Sequence, residues 1–479
     1  MQDQPAYRAL RPQLIALGAV TSVEFVENGM VMFAASQIAA GLGLSPEEFA
    51  FAYTLYGIGA MFMLYKHRWM VERLGYRSFV LLSLACFGAG ALACALADGL
   101  AQFAAGRLLQ GLGGATFFTA GRLAVNELPQ QQRRAGLATF VASLLGASAV
   151  APLLAAVLLE FGQWRALFWF GVPQALLVGW LAHSHLSRAV VPPAQRSHEH
   201  WGWLLWLCVG LSGLQYAIQA VSLEDGRVPA IAAGALASVA ILAVFACRQW
   251  RRERPLIDVR GLAQSRYLFG LAMYFIGYFL IGSSGLLVPI LLHTVYGLSL
   301  FQTAAISSCA MAGSVAAGLA HMALARRQPR HRGFMLAGLG LYGAGSLLLA
   351  AADAPGGWTG MLLGVLALYL AIPLFLGPVA AATFSGLQAE AFSHGYQVKN
   401  IIRQLGLSSS IALTTVALQL FVREPHAVAQ LLELARHVSE PGVGAAMHPL
   451  LLASRQVLVL TALALVPAGL LVLLQRQFR

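Results

Sequence analysis

The chain has 479 residues, 58% of them hydrophobic and 10% charged, a balance that no water-soluble globular domain of this size needs to fill its core. Its formal net charge of +12 raises nucleic acid as a partner, but the basic residues sit in short connections between apolar runs rather than on one amphipathic face. Composition therefore points to a bilayer as solvent and to membrane topology as the reason for the charge.

In chain order, Met1 to Pro12 reads as a short polar start, and the apolar run from Leu14 to Ala40 is too long for a cleaved signal peptide. It is expected to remain as the first spanning helix. A spanning helix needs about 20 apolar residues, because in lipid each backbone N–H and C=O must be satisfied within the segment. Runs of that kind recur near 14–40, 47–65, 78–98, 101–126, 134–159, 164–184, 201–221, 229–249, 266–292, 299–325, 333–352, 358–385, 399–421 and 453–475, which predicts about fourteen helices. Glu224, Asp225 and Arg227 divide a long apolar tract between the seventh and the eighth.

An even count places both termini on one side, and the Lys/Arg bias says which. Of the 31 basic residues, six (Arg107, Arg165, Arg227, Arg423, Arg436, Arg455) fall in a helix or an outward connection, and the rest gather toward inward connections and termini. The densest inward clusters are Arg248, Arg251, Arg252 and Arg254, then Arg326, Arg327, Arg330 and Arg332. Both termini are expected in the cytoplasm, with the chain in a bacterial inner membrane.

Two connections are long. The inward 185–200 segment carries Pro192, Pro193 and His198-Glu199-His200, which reads as a solvated loop or a metal-recruiting tract; no metal or other cofactor is expected. The outward 422–452 segment places Leu431, Leu432, Leu434 and Val438 near helical spacing, as a surface helix or a docking site for a periplasmic partner. Cys86, Cys94, Cys208, Cys247 and Cys309 lack the paired spacing of a zinc site or disulfide framework and read as packing residues.

Several charges fall where lipid rejects them. Glu24 and Glu27 lie in the middle of the first span, three residues apart and so on one face, with Asn28 beside them; Arg107 lies inside the fourth span. Each costs about 2.5–3.5 kcal/mol near a helix centre, so all three are expected to face a bundle interior or wet cavity and to interact. Such a group serves either as a proton relay, in which a change of distance between acid and guanidinium couples protonation to transport, or as a static brace. Further candidates for substrate contact are Asn400, Arg403 and Gln404 at the start of the thirteenth span and Tyr274 and Tyr278 in the ninth, each set on one helix face. Pro152, Pro173, Pro289, Pro373 and Pro378 lie in or near spans, as kinks or helix ends.

These residues carry a resemblance. Glu72-Arg73-Leu74-Gly75-Tyr76-Arg77, between the second and third spans, resembles the acidic-basic loop motif of the major facilitator superfamily, with Glu72 for the usual Asp and Arg68 where a Gly is expected. The resemblance implies a cytoplasmic latch of Glu72, Arg73, Gly75 and Arg77. Arg107-Leu108-Leu109-Gln110-Gly111-Leu112-Gly113-Gly114 is similar to the family's Arg-centred motif, which implies a role for Arg107 in proton transfer. Gly146 to Ala156 looks like the antiporter motif, a small-residue helix kinked near Gly146 and Pro152, with Ala151, Ala155 and Ala156 in place of expected glycines.

Three further segments resemble the fourteen-helix drug:proton antiporters of EmrB/QacA type: Gln163-Trp164-Arg165 with Phe168 and Pro173, Arg254-Pro255-Leu256-Ile257-Asp258-Val259-Arg260, and the Asn-x-x-Arg-Gln-x-Gly signature over Asn400 to Gly406. The first helix departs from that branch, offering Glu24, Glu27 and Asn28 in place of Asp-x-Thr-x-x-Asn, and the 326–332 connection lacks the acid of the second loop motif.

The expected fold is an all-α polytopic membrane protein of major facilitator type: a six-helix bundle over residues 1–185, a connecting segment with two extra helices over 186–265, and a second six-helix bundle over 266–479. The expected function is proton-coupled export of small amphipathic or lipophilic compounds by alternating access, with a dedicated exporter of one endogenous metabolite, such as a siderophore, as the alternative. A periplasmic adaptor and an outer-membrane channel are implied partners. An enzyme or receptor is disfavoured, since the spans carry no His-Glu-x-x-His site, no phosphate-binding Gly-x-x-x-x-Gly-Lys loop and no large soluble domain.

Overall fold

The computed structural model describes the chain outside residues 1–3, 129, 131, 189, 191, 193–200, 224–227, 254, 328–330, 353–357, 424–447, 476–477 and 479. Among the described residues all regular structure is helical. The chain forms two compact units, residues 1–217 with 226–257, and residues 218–225 with 258–479.

The first unit holds α1 (Gln4–Phe33), a short α2 (Ala35–Leu42), α3 (Pro46–Leu74), α4 (Tyr76–Ala95), α5 (Leu100–Glu127), α6 (Arg133–Gly162), α7 (Arg165–His185), most of α8 (Trp201–Leu223) and α9 (Val228–Trp250). The second holds a one-turn α10 (Val259–Leu262), α11 (Ser265–Ile290) prolonged by a π turn over Leu291–Val295, α12 (Leu300–Arg327), α13 (His331–Ala351), α14 (Trp358–Ala382), α15 (Ala389–Arg423) and α16 (His448–Leu474). Twelve of these carry an apolar stretch long enough to cross a bilayer. The equally long α3 and α5 fall below that measure because they carry Lys66, His67, Arg107 and Gln110, all of them buried inside the unit.

The predicted helices stand in the predicted order, but their ends differ. The polar start is not a separate tail: α1 begins at Gln4 and runs through Pro12. The first apolar run is interrupted at Ala34, which divides α1 from α2, and a left-handed Gly43 at φ 66° ends α2. Ser45 then starts α3 with a reciprocal capping box, accepting from the Glu48 N–H while the Glu48 carboxylate accepts from the Ser45 N–H at 2.8 Å. The motif read as a loop over Glu72–Arg77 is largely helix. Gly75 alone, at φ 77°, connects α3 to α4, a conformation that costs a residue with a Cβ but not glycine. The α15 helix begins ten residues before the expected start at 399, so its polar signature lies three to four turns inside the helix. The 185–200 loop with its His-Glu-His triplet and the 422–452 segment lie mainly outside the described residues.

Lipid removes the hydrophobic drive between helices, so association relies on close packing and buried hydrogen bonds. In the first unit the backbones of α3 and α5 touch: a Cβ on Gly111 would stand 2.1 Å from the Tyr56 carbonyl oxygen. Phe49, Phe103, Trp164 and Phe168 form a ring cluster where α3, α5 and α7 meet, with the Phe103 and Phe168 centroids 5.5 Å apart. Trp164 is held by its neighbour Gln163, whose left-handed φ of 58° turns the chain from α6 to α7. Arg165 pairs with Asp98 at 2.9 Å and donates to the Ala97 carbonyl at 2.8 Å, fastening the α4–α5 turn to α7. The α8 helix joins α3 through the Lys66 ammonium, 3.4 Å above the Trp201 ring, so the two extra helices cluster mainly with the first unit rather than standing apart. Large apolar side chains such as Leu176, Trp180, Leu205 and Leu236 are exposed, as a lipid-facing surface requires.

In the second unit, Asp258 caps α10 by accepting the Gly261 N–H at 2.8 Å, while its own N–H donates to His394 Nδ1 at 2.9 Å and so docks the segment on α15. The Tyr342 hydroxyl donates to the Leu280 carbonyl at 3.0 Å, across α13 and α11. Arg455 and Tyr296 both donate to the Ala352 carbonyl just past α13, at 2.9 and 3.2 Å, a cationic helix cap built from three separate elements.

Candidate functional site

The α1 helix presents Glu24 and Glu27 on one face, and both side chains are completely buried. Glu27 lies six residues before the end of α1, and Arg107 lies seven residues after the start of α5. At 1.5 Å per residue both sit roughly 10 Å from those ends, which puts acid and base at matching depth. Gln110, one helical turn after Arg107, stands between them. Arg107 Nη1 donates to Gln110 Oε1 at 2.8 Å, and Gln110 Nε2 donates to Glu27 Oε1 at 2.9 Å. The direct approach of Arg107 Nη1 to Glu27 Oε1 is 3.8 Å. The charges are thus joined mainly through an amide, which bonds one atom of each in a setting where an uncompensated ion is costly.

The guanidinium also lies over two aromatic rings of α3, 4.6 Å from the Tyr56 centroid and 5.5 Å from that of Tyr53. Cys94, from α4, directs its thiol toward Gln110 Oε1 at 3.8 Å. On another side of α1, Gly29 meets Ala151 of α6, where an added Cβ would stand 2.5 Å from the Ala151 Cβ. Gly171 of α7 faces the other carboxylate oxygen, with an added Cβ 3.7 Å from Glu27 Oε2. Three helices besides α1 and α5, namely α3, α4 and α7, therefore border one ion pair. Glu27 Oε2 and Arg107 Nε and Nη2 are buried and make no hydrogen bond among the described residues. Asn28 is half-buried one residue on, its Oδ1 likewise without a hydrogen bond.

The other candidates divide between two further places. Glu72 is buried near the end of α3, Arg73 lies over the Trp69 ring at 4.3 Å, and the Arg77 N–H donates to the Ser187 carbonyl at 3.2 Å, just past α7. In α6 an added Cβ on Gly146 meets nothing within 4 Å, while α6 approaches α1 closely at Ser143, against Gly18, and at Ala151, immediately before Pro152, against Gly29.

In the second unit Tyr274 and Tyr278 of α11 stack at 6.0 Å with 11° between their planes. Asn400, Arg403 and Gln404 of α15 are buried, and so is Lys399, whose ammonium lies 4.4 Å from the Tyr396 centroid and 5.8 Å from that of Tyr274. Gly406 closes the signature: an added Cβ would stand 3.0 Å from both the Phe275 carbonyl oxygen and the Tyr278 Cβ, so glycine sets the tyrosines against α15. Gln110, Tyr53, Tyr56 and Lys399 escaped the sequence reading. The i, i+3 spacing of Arg107 and Gln110 could have disclosed the first; the tyrosines and Lys399 become visible only when helices are packed.

Residues 17–418 match the family described as Major Facilitator Superfamily. The chain is 26% identical over 439 residues to "Putative multidrug resistance protein MdtD" of Klebsiella pneumoniae subsp. pneumoniae, covering 88% of each chain. The same protein of Escherichia coli O6:K15:H31 is also 26% identical over 439 residues, with 88% of each chain covered. Among solved structures, the POT family transporter PepTSo aligns with a TM-score of 0.66 at 13% identity, over 98% of this chain and 99% of that one. A bacterial homologue of the human lysosomal transporter Spinster aligns with a TM-score of 0.62 at 16% identity, over 96% and 95%. At such identities the structural likeness bears on fold alone.

Proposed function

The chain belongs to the Major Facilitator Superfamily and is a multi-pass membrane transporter of small molecules rather than an enzyme, and on that premise we propose that it exports small amphipathic or lipophilic compounds in exchange for protons. The observation that carries the reading is the buried Glu27–Gln110–Arg107 chain linking α1 to α5. A carboxylate held this way is a two-state element. With Glu27 charged, the guanidinium has its counter-charge; with Glu27 protonated, Arg107 is left as an uncompensated buried cation and its surroundings must rearrange. Glu27 Oε2, which makes no hydrogen bond among the described residues, offers a place for the proton that leaves the Gln110 contact intact. Alternating access is the motion such a switch would bias, as in transporters built from repeated helical bundles.

Within this reading Glu24 and Asn28 line the same helix as accessory polar groups, Ala151-Pro152 gives α6 a hinge against α1, and Glu72 to Arg77 forms the latch. The branch is that of the fourteen-helix drug:proton antiporters, supported by fourteen described helices of twenty residues or more and by the multidrug-resistance name of the relatives. The Lys/Arg bias supports a bacterial inner membrane with both termini cytoplasmic. A periplasmic adaptor and outer-membrane channel belong to the same proposal.

The test is efflux in everted vesicles with and without an imposed pH gradient, for the natural chain and for Glu27→Gln. Gradient-dependent uptake that the substitution abolishes supports the reading; uptake indifferent to both ends it. Deletion with a panel of toxic compounds then separates broad export from export of a single metabolite, which would leave general sensitivity unchanged.

A further inference from the structure

We propose that the paired ends of α8 and α9, where Trp201 begins one helix and Trp250 closes the other, form a headgroup site for an anionic phospholipid. The site depends on the membrane-spanning nature of the chain and is independent of proton coupling. It gives a use to Arg248, Arg251 and Arg252, a basic cluster for which the export reading has no role.

The cluster is built into the fold. All three arginines are exposed. The Arg252 guanidinium lies over the Trp203 ring, 5.0 Å from its centroid, and Trp203 packs in turn against Phe245 of α9 at 6.3 Å, which holds the cation beside α8. Gln249, 1% exposed, accepts the Leu256 N–H at 2.7 Å, and its carbonyl accepts the Arg252 N–H at 3.2 Å, so the turn carrying Arg251 and Arg252 is pinned to the end of α9. Trp201, Trp206 and Trp250 are each about half exposed around it, as tryptophans at the level of lipid headgroups are. Back along α9 from Arg248, Val244, Ala240, Ala237 and Ala233 are exposed at helical spacing, a shallow apolar track for an acyl chain below the headgroup.

The sequence settles the sign of the charge. Residues 248–254 hold four arginines against Glu253, and residues 186–200 hold Arg188 and Arg196 against Glu199. Positive charge is left over however the acids of these two segments pair. The carbonyl end of α9 itself carries roughly half a negative charge, which one arginine offsets. The start of α13 offers a contrast, since Arg332 there donates to the Leu473 carbonyl of α16.

Basic clusters bordering a spanning helix attract anionic lipid. A phosphate takes charge-assisted, two-pronged hydrogen bonds from a guanidinium. A zwitterionic headgroup brings a cation of its own against the cluster, and a soluble phosphate ester leaves the apolar track uncovered. An anionic phospholipid meets both features at once.

The experiment is native mass spectrometry of the purified full-length protein in detergent, titrated with dioleoylphosphatidylglycerol or with dioleoylphosphatidylcholine, which share their tails. Each arginine near an anionic headgroup is worth roughly five-fold in affinity, so the first phosphatidylglycerol should bind at least about ten-fold more tightly than the first phosphatidylcholine. Arg248→Gln combined with Arg252→Gln should erase that preference. Arg188→Gln, which removes one exposed positive charge past the end of α7, should leave it unchanged. Glycerophosphoglycerol, the same headgroup without tails, should not displace the lipid at equal concentration. The proposal is overturned if the two lipids bind alike, if the preference survives the double substitution, if Arg188→Gln lowers it as far as Arg252→Gln does, or if the tailless headgroup displaces the lipid. Should the double variant fail to fold, Arg252→Gln alone decides, with a roughly five-fold loss of preference expected and no loss refuting the site.

Discussion

Arg107 and Glu27 meet through an intermediary: their closest atoms are 3.8 Å apart, and Gln110 spans the gap with two hydrogen bonds of 2.8 and 2.9 Å. Because the amide donates in one direction and accepts in the other, it orders the pair as guanidinium, amide, carboxylate. Each member has its own expected failure.

Glu27→Gln should abolish gradient-driven efflux while the protein still inserts and purifies. Neutralising the acid alone leaves a buried cation, which costs about 3–5 kcal/mol where one partner of a buried pair is removed. A fall in the melting temperature of the detergent-solubilised protein is therefore expected, and Glu27→Gln with Arg107→Gln together should recover part of it. A double variant less stable than either single one would contradict the pairing.

Gln110→Leu keeps the volume and removes both hydrogen bonds. Each buried group left without its partner costs about 1–3 kcal/mol, so destabilisation comparable to the loss of one charge is expected. Chemical denaturation followed by far-ultraviolet circular dichroism would report it. If stability is unchanged, the amide bridge is not holding the pair.

Proton coupling predicts a sign. Uptake into everted vesicles should rise as the vesicle interior is acidified at fixed external pH, because protonation of the relay from that side drives the exchange. In Glu27→Gln the slope against internal pH should vanish, and in Glu24→Gln it should persist if Glu27 alone carries the proton. A flat slope in both locates coupling in both acids.

Gly406→Leu should displace α11 from α15, since even a methyl group would lie 3.0 Å from the Phe275 carbonyl oxygen and from Tyr278. Overpacking of this kind costs about 1–3 kcal/mol. The tyrosine pair should separate with it, so near-ultraviolet circular dichroism ought to change even where the helix content does not. Gly146→Leu in α6, where an added Cβ meets nothing within 4 Å, serves as the tolerant comparison.

At Gly75 the backbone adopts φ 77°, so Gly75→Val should cost about 1–3 kcal/mol through strain alone. Thermal unfolding of that variant tests the one-residue connection between α3 and α4 separately from any latch chemistry at Arg73 or Arg77.

Much of this was legible in the residues themselves. Lipid demands long, internally hydrogen-bonded helices, so the apolar runs stand in the order of the long helices among the described residues, and the expense of burying Glu24, Glu27 and Arg107 marked them for the interior. Helix ends were less legible, because a helix can continue past the apolar run that announces it: α1 extends back to Gln4, α3 on to Leu74, and α15 begins at Ala389. What one chain's order could not disclose is that Glu27 reaches the arginine, that Gln110 carries the contact, that α6 approaches α1 at Ser143 and Ala151, or that Lys399 meets Tyr274 of α11. Those relations run between helices distant in sequence, and they depend on how backbones slide and rotate to bring small residues together, which periodicity along a single helix does not encode.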